Sequence, residues 1–143
     1  MATLYSSEMT GVDSIPASKP AAPNSYFARV KRFRATITLA SQATTDTVVL
    51  ADIPAGMVFA GGELTSDTSL GTSTIAVGTA ASTAKYKAAA TFTATDTPTP
   101  FGKASALAMS PLASPERIIL TIATAALPAS GTLVIDLYFT SAN

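Results

Sequence analysis

Carboxylates are the side chains of this sequence best suited to chemistry, because the chain contains no histidine and no cysteine. Without imidazole or thiolate groups, Ser-His-Asp and Cys-His nucleophiles and the usual zinc sites are excluded. The nine acidic residues occur singly, without the spacing of a calcium-binding loop. Folding could still bring Glu63 close to Asp67 or Glu116, as a glycosidase-type pair requires. We predict no catalytic residues, no metal site and no cofactor, because single acids in turns and on exposed strand faces are usually solvated.

One stretch of the sequence has a cluster of charged residues, and all of them are basic. It comprises Arg29, Lys31, Arg32 and Arg34. On a strand, Arg29 and Lys31 would share a face with Phe33, whereas Arg32 and Arg34 would occupy the other face. Three interpretations are open: contacts with nucleic acid, charges that protect an edge strand, and salt bridges to an acidic partner. The formal net charge of zero argues against nucleic acid. Among the acids, Asp136 is expected to pair with a cross-strand Lys or Arg.

Residues 1–26 differ from the rest of the chain and predict an extended N-terminal arm. Prolines at positions 16, 20 and 23 disfavour helix and central-strand pairing. A disordered tail is one interpretation; the other is an arm that orders on a partner, because its apolar side chains exceed what a solvated tail needs. The predicted partner-binding residues are Leu4, Tyr5, Met9, Val12 and Ile15, together with Arg29, Lys31, Arg32 and Arg34.

From residue 27 onward, apolar and polar residues alternate with a period of two, which predicts half-buried β-strands. The inward faces are assigned to Phe33, Ala35, Ile37 and Leu39; to Tyr86, Ala88, Ala90 and Phe92; to Ile118, Leu120 and Ile122; and to Leu133, Ile135, Leu137 and Phe139. Further strands are predicted within residues 47–51, 57–65, 73–78 and 101–109.

Turn-forming residues separate these strands at positions 54–56, 69–71, 97–100 and 128–131. One short helical turn is expected in the alanine-rich residues 79–84 or 87–90. Gly61 and Gly62 interrupt a strand, where we expect a bulge, because a phosphate-binding glycine pair would need a following helix. About eight antiparallel strands at this spacing predict an all-β domain over residues 27–143, a β-sandwich or jelly roll.

The surface composition indicates a protein that associates. Charged residues make up 13% of the chain, and nine basic residues balance nine acidic ones. A weakly charged surface rich in threonine, serine and alanine is easily desolvated, so we predict a homo-oligomer. The sequence has neither a secretory signal pattern nor a membrane-spanning apolar stretch, so synthesis in the cytoplasm and no membrane partner are expected.

Four segments that follow the proline-bearing arm are similar to segments of a known family. They are IPAG at 53–56, LTSDTSLGTSTIAVG at 64–78, AKY at 84–86 and ALPASGTL at 126–133. In this order they resemble the small β-rich head decoration, or cement, proteins of tailed bacteriophages. The resemblance implies a non-enzymatic β-sandwich or jelly roll, often clustered as trimers on the capsid surface of the virion. Its implied partners are the major capsid protein or other virion subunits, and its implied function is to stabilise the shell after synthesis in the host bacterial cytoplasm.

Two alternative functions are compatible with the sequence. Short β domains rich in threonine and alanine also occur in head fibres, connectors and tail components of phages. A carbohydrate or host-surface binding module would suit a jelly roll. However, the chain has no tryptophan and only four tyrosines, so a sugar-stacking surface is poorly supplied.

Overall fold

Eight β-strands and one short helix make up the part of the chain that the computed structural model describes, residues 28–108 and 110–141. The strands are β1 (Arg29–Thr38), β2 (Thr47–Ile53), β3 (Val58–Ser66), β4 (Thr74–Gly78), β5 (Lys87–Thr91), β6 (Thr99–Phe101), β7 (Glu116–Ala123) and β8 (Thr132–Ser141), and the helix is α1 (Ala104–Leu107). Sheet A has the strand order β1-β8-β3-β6, and sheet B has the order β2-β7-β4-β5. Neighbouring strands are antiparallel. The predicted all-β sandwich is confirmed.

The core lies between the two sheets, because alternate side chains along each strand point toward the opposite sheet. The inward faces predicted for β1, β7 and β8 are confirmed: in β8 the four predicted residues are fully buried, and in β7 the three predicted residues are at most 1% exposed. Three aromatic rings from different strands and loops pack together at the centre, with ring centroids 4.6–6.0 Å apart. They belong to Phe59, Tyr86 and Phe139. This cluster joins sheet A to the loop that precedes β5.

The face predicted for β5 is only half right. Tyr86 and Phe92, which flank the strand, are buried, but Ala88 and Ala90 are exposed. Strand β5 is the outermost strand of sheet B, and its register with β4 shifts between Ile75 and Val77. Short alanine side chains on such an edge do not reach the core, so the alternation in the sequence overstates their burial.

Three further predictions about local structure are corrected. Residues 101–109 are not one strand: β6 ends at Phe101, and residues 104–107 form α1, with Ala106 only 1% exposed. The helical turn expected within residues 79–84 or 87–90 therefore lies elsewhere, where alanine both favours helix and fits a tight core position. The turn expected at residues 97–100 begins β6 instead, and Pro100 is tolerated there because β6 is an edge strand.

Candidate functional site

The basic strip, which we define as Arg29, Lys31 and Arg32, lies at the beginning of β1. Among the described residues this strand is an edge of sheet A and pairs only with β8. All three side chains are exposed, and Val30 between them is 63% exposed. The strip therefore places exposed cations on both faces of the strand, Arg29 and Lys31 on one and Arg32 with Val30 on the other, and no described strand pairs with its outer backbone edge.

No acidic residue lies opposite the strip. Its cross-strand neighbours on β8 are Ser141, Phe139 and Tyr138. The salt bridges of residues 28–108 and 110–141 are Arg34–Asp136, Lys85–Glu116 and Arg117–Asp52. None of them includes a residue of the strip. Arg29, Lys31 and Arg32 are thus outside the salt bridges of the described residues, although the charge of Arg32 helps to lower the pKa of Asp136.

Arg34, the fourth basic residue predicted to bind a partner, is engaged within the sheet. Its Nε and Nη2 donate to the two carboxylate oxygens of Asp136 at 2.8 and 2.7 Å. The Asp136 side chain is only 6% exposed, whereas that of Arg34 is 51% exposed. The hydrogen bonds from Arg34 lower the pKa of Asp136 below its ordinary value. The predicted cross-strand partner of Asp136 is therefore confirmed, and the cluster of four basic residues divides into a free strip and one paired arginine.

The other five predicted partner-binding residues lie outside the described residues. They are Leu4, Tyr5, Met9, Val12 and Ile15. The prediction that they bind a partner stays a prediction, as does the domain boundary between residues 26 and 27.

A shallow groove of about 470 Å³ lies beside the strip, on the side of sheet A that faces away from the core. Strands β3, β6 and β8 contribute to it, and α1 closes one end. Its lining includes Gly61, Gly62, Glu63, Pro100, Leu107 and Tyr138. Leu107 is 46% exposed, so the groove combines an exposed aliphatic side chain, an aromatic ring and a carboxylate.

The two glycines have different structural reasons: Gly61 forms the bulge beside the groove, and Gly62 makes room for the ring of Phe101. The register of β3 against β8 shifts between Phe59 and Gly61, which confirms the predicted bulge, and Gly61 has a φ of 128° that favours glycine. A Cβ atom on Gly62 would lie 2.3 Å from the ring of Phe101. The glycine pair was the sequence signal for this site, but a glycine pair indicates a bulge and does not reveal which side chains surround it.

Glu63 is the acidic group of the groove. It is half-buried and takes part in none of the salt bridges of the described residues. On β8 it lies opposite Asp136, whose charge Arg34 already neutralises. Glu63 also lies close enough to Arg34 for its charge to help raise the pKa of that arginine, although the two form no salt bridge.

A second polar cluster, at Lys85, Tyr86 and Glu116, is structural. The buried Tyr86 hydroxyl donates to one oxygen of Glu116, and Lys85 donates to the other. Burial and the bond to Glu116 together raise the pKa of Tyr86. Nearby, burial lowers the pKa of Lys87, whose Nζ donates to the carbonyl of Ile75 at 3.1 Å. These contacts satisfy polar groups at the rim of the core.

Of the two acid pairs considered for catalysis, Glu63 and Glu116 lie on different sheets, whereas Asp67 directly follows β3, the strand that contains Glu63. Glu63 belongs to sheet A, whereas Glu116 belongs to sheet B and is bound by Lys85 and Tyr86. Within the described ranges, no three acidic residues are grouped as a metal site requires. Nor do these ranges contain a helix long and apolar enough to cross a membrane.

Comparison with known proteins places the fold among solved capsid chains. No protein-family model and no curated protein matches this sequence. A chain in the structure of the cyanophage Pam1 capsid asymmetric unit superposes with a TM-score of 0.68 at 21% identity, covering 88% of this chain and 95% of that chain. A chain in the capsid of Ralstonia phage GP4 has a TM-score of 0.58 at 17% identity, covering 80% of this chain and 84% of that chain. The shared feature is the fold, which both phage capsids contain over most of a chain.

Proposed function

We propose that this chain is a structural protein of a bacteriophage virion, and specifically a decoration or cement protein on the outside of the head. The observation that carries the proposal is the likeness to the chain of the Pam1 capsid, of which 95% is covered. The likeness therefore extends over the whole architecture of a chain that occurs in a capsid structure. The composition agrees, because a neutral surface with few charges suits a protein that neighbouring subunits cover.

In this proposal the basic strip binds an acidic surface of the major capsid protein. Its three cations take part in no salt bridge of the described residues, and the exposed Val30 adds an apolar contact on the face that carries Arg32. A single exposed ion pair contributes little to affinity. Icosahedral repetition multiplies such weak contacts, so a shell covered by many copies is held together firmly.

The arm and the oligomeric state complete the proposal. Leu4, Tyr5, Met9, Val12 and Ile15 lie across a neighbouring subunit, where their burial offsets the entropy lost on ordering. Copies of the chain cluster as trimers on the shell, because each trimer then presents three copies of the same weak contact at once. The protein bridges capsid subunits in this way and opposes their separation.

The test is binding of the purified chain to empty shells of the major capsid protein encoded by the same genome. We expect the double variant Lys31→Gln, Arg32→Gln to bind about tenfold more weakly, with a smaller dependence on salt, because two exposed ion pairs are lost. The matched control is Lys103→Gln, Arg117→Gln, which removes the same charge from other places. Cosedimentation at several salt concentrations measures both variants.

Two outcomes would contradict the proposal. If both double variants bind the shells equally well, the strip is not the contact surface. If the unmodified chain does not bind the shells at all, or electron microscopy locates it on the tail, the decoration function is wrong and another virion component becomes the better assignment.

A further inference from the structure

The groove of sheet A and the root of the N-terminal arm have complementary chemistry. Residues 19–23 have the sequence Lys-Pro-Ala-Ala-Pro, in which two prolines are three positions apart and a lysine precedes them. Proline fixes φ near the polyproline II value and pushes the preceding residue toward the same conformation. Such a sequence favours the polyproline II conformation, so we expect it to lose less entropy than an unrestricted segment when it binds a groove.

The groove has the features that bind this kind of segment. Tyr138 and Leu107 provide aromatic and aliphatic surface, Gly61 adds no side chain, and the ring of Phe101 packs on Gly62 beside them. Glu63 provides a half-buried carboxylate outside the salt bridges of the described residues. Polyproline recognition commonly uses an aromatic-lined groove in this way. Here the carboxylate matches the charge of Lys19.

The chain is long enough to reach. β1 begins at Arg29, which pairs with Ser141, whereas Tyr138 lies level with Arg32, so the groove is about 10 Å farther along the sheet. It is also two strand spacings away, about 10 Å across from β1 to β3. The direct distance is thus about 14 Å. The six residue-to-residue steps from Pro23 to Arg29 can span up to about 19 Å in an extended conformation.

We propose that residues 19–23 bind in the groove of their own subunit, with Pro20 and Pro23 against Tyr138 and Leu107 and Lys19 beside Glu63. The arm then crosses sheet A from the β1 edge toward the β6 edge, and residues 1–18 project from the edge opposite the basic strip. The inference goes beyond the proposed function and does not depend on it, because the contact forms within one isolated subunit.

The absence of cysteine in the native chain permits a direct test by disulfide trapping. In the full-length protein, Ala22→Cys is combined with Ala60→Cys at the edge of the groove, and in a matched control with Ala89→Cys on β5. Both groove-edge and control positions are exposed alanines. We expect the Ala60 pair to form an intramolecular disulfide at least tenfold faster at micromolar concentration. Non-reducing gels and intact mass measure the reaction.

A double-mutant cycle tests the ion pair in the same trapped chain. Glu63→Gln and Lys19→Gln should each slow formation of the disulfide about threefold, the scale of one partly exposed ion pair. The two substitutions together should slow it no further, because they remove the same contact. Thermal unfolding of each variant shows whether the sandwich is intact.

Three results would overturn the inference. Equal trapping rates at Ala60 and Ala89 would mean that the arm samples both surfaces without preference. Disulfide-linked dimers instead of the intramolecular product would assign the groove to the arm of a second copy. Additive effects of the two glutamine variants would show that Lys19 and Glu63 do not meet. None of these outcomes depends on binding to shells, so a failure here is distinct from a failure of the decoration function.

Discussion

Two aspartates of this chain make the same bidentate contact with an arginine in different surroundings. Asp136 binds Arg34 in the middle of sheet A, and its side chain is 6% exposed. Asp52 binds Arg117 at the surface of sheet B, where both side chains are more than 60% exposed. In each case the hydrogen bonds from arginine lower the pKa of the carboxyl group. Solvent screens the second pair far more than the first, so the two should differ in their contribution to stability.

Asp136→Asn is expected to lower the free energy of unfolding at pH 7 by about 1–2 kcal/mol, because a buried charge-assisted contact is lost. The native pKa of Asp136 is depressed, so its contribution is fully present above the unfolded value of 3.8 and is lost as the pH falls through the native pKa. The difference between the wild type and Asp136→Asn should therefore be large at pH 7 and shrink below about pH 4. Urea unfolding at a series of pH values measures it.

Asp52→Asn is the matched control for this experiment, since it weakens the same kind of bidentate arginine–carboxylate contact at an exposed site. It should change stability little at any pH. Equal destabilisation by the two substitutions would mean that burial does not distinguish the two pairs.

The strands differ in how well their neighbours protect them. β8 is paired on both sides, with β1 and β3, and its four core-facing side chains are fully buried. β5 is an edge of sheet B whose central alanines are exposed. Local opening is easiest where few apolar contacts and only one hydrogen-bonded neighbour resist it. The sandwich therefore has its most stable element at the C-terminal strand, which holds sheet A together.

Amide hydrogen exchange should rank these strands. We expect peptides from residues 132–141 to exchange at rates set by global unfolding, and peptides from residues 87–91 to exchange at least a hundredfold faster. Mass spectrometry of the native protein at pH 7 measures both regions in one experiment. Similar rates in β5 and β8 would contradict the assignment of β8 as the protected centre of the sheet.

At the scale of the whole molecule, the formal net charge is zero, but the charges are distributed unevenly over the surface. Nine basic and nine acidic residues cancel, yet the strip at the start of β1 has three cations outside the salt bridges of the described residues. Such a molecule associates without strong mutual repulsion and retains one directional contact surface. This combination fits a subunit that covers a shell.

Deleting residues 2–24 should preserve the fold and weaken assembly. The core side chains belong to strands and loops between residues 37 and 139, so calorimetry should show the same cooperative unfolding with a melting temperature within a few degrees. Affinity for empty shells should fall at least tenfold, because the arm no longer adds its apolar contacts. Unchanged affinity would rule out the arm as a contact, and loss of cooperative unfolding would show that the sandwich needs it.

The sequence by itself determined the fold class and most of the core. Period-two alternation is a local property of each strand, so the inward faces of β1, β7 and β8 could be assigned without knowing any neighbour. The same logic failed at β5, where the edge position leaves the alanines exposed, and at residues 101–109, where Ala106 packs into the core from a short helix. It also failed to find the groove beside the glycine bulge.

Only the tertiary structure decided which residues meet. The alternation in β8 predicts a basic partner for Asp136 but not which one, since Arg34 lies 102 positions away and is selected by the register of β1 on β8. That register leaves Arg29, Lys31 and Arg32 opposite neutral residues and so creates the basic strip. Side-chain alternation is set within a strand, whereas pairing is set between strands far apart in the chain, and the candidate surfaces of this protein arise from the pairing.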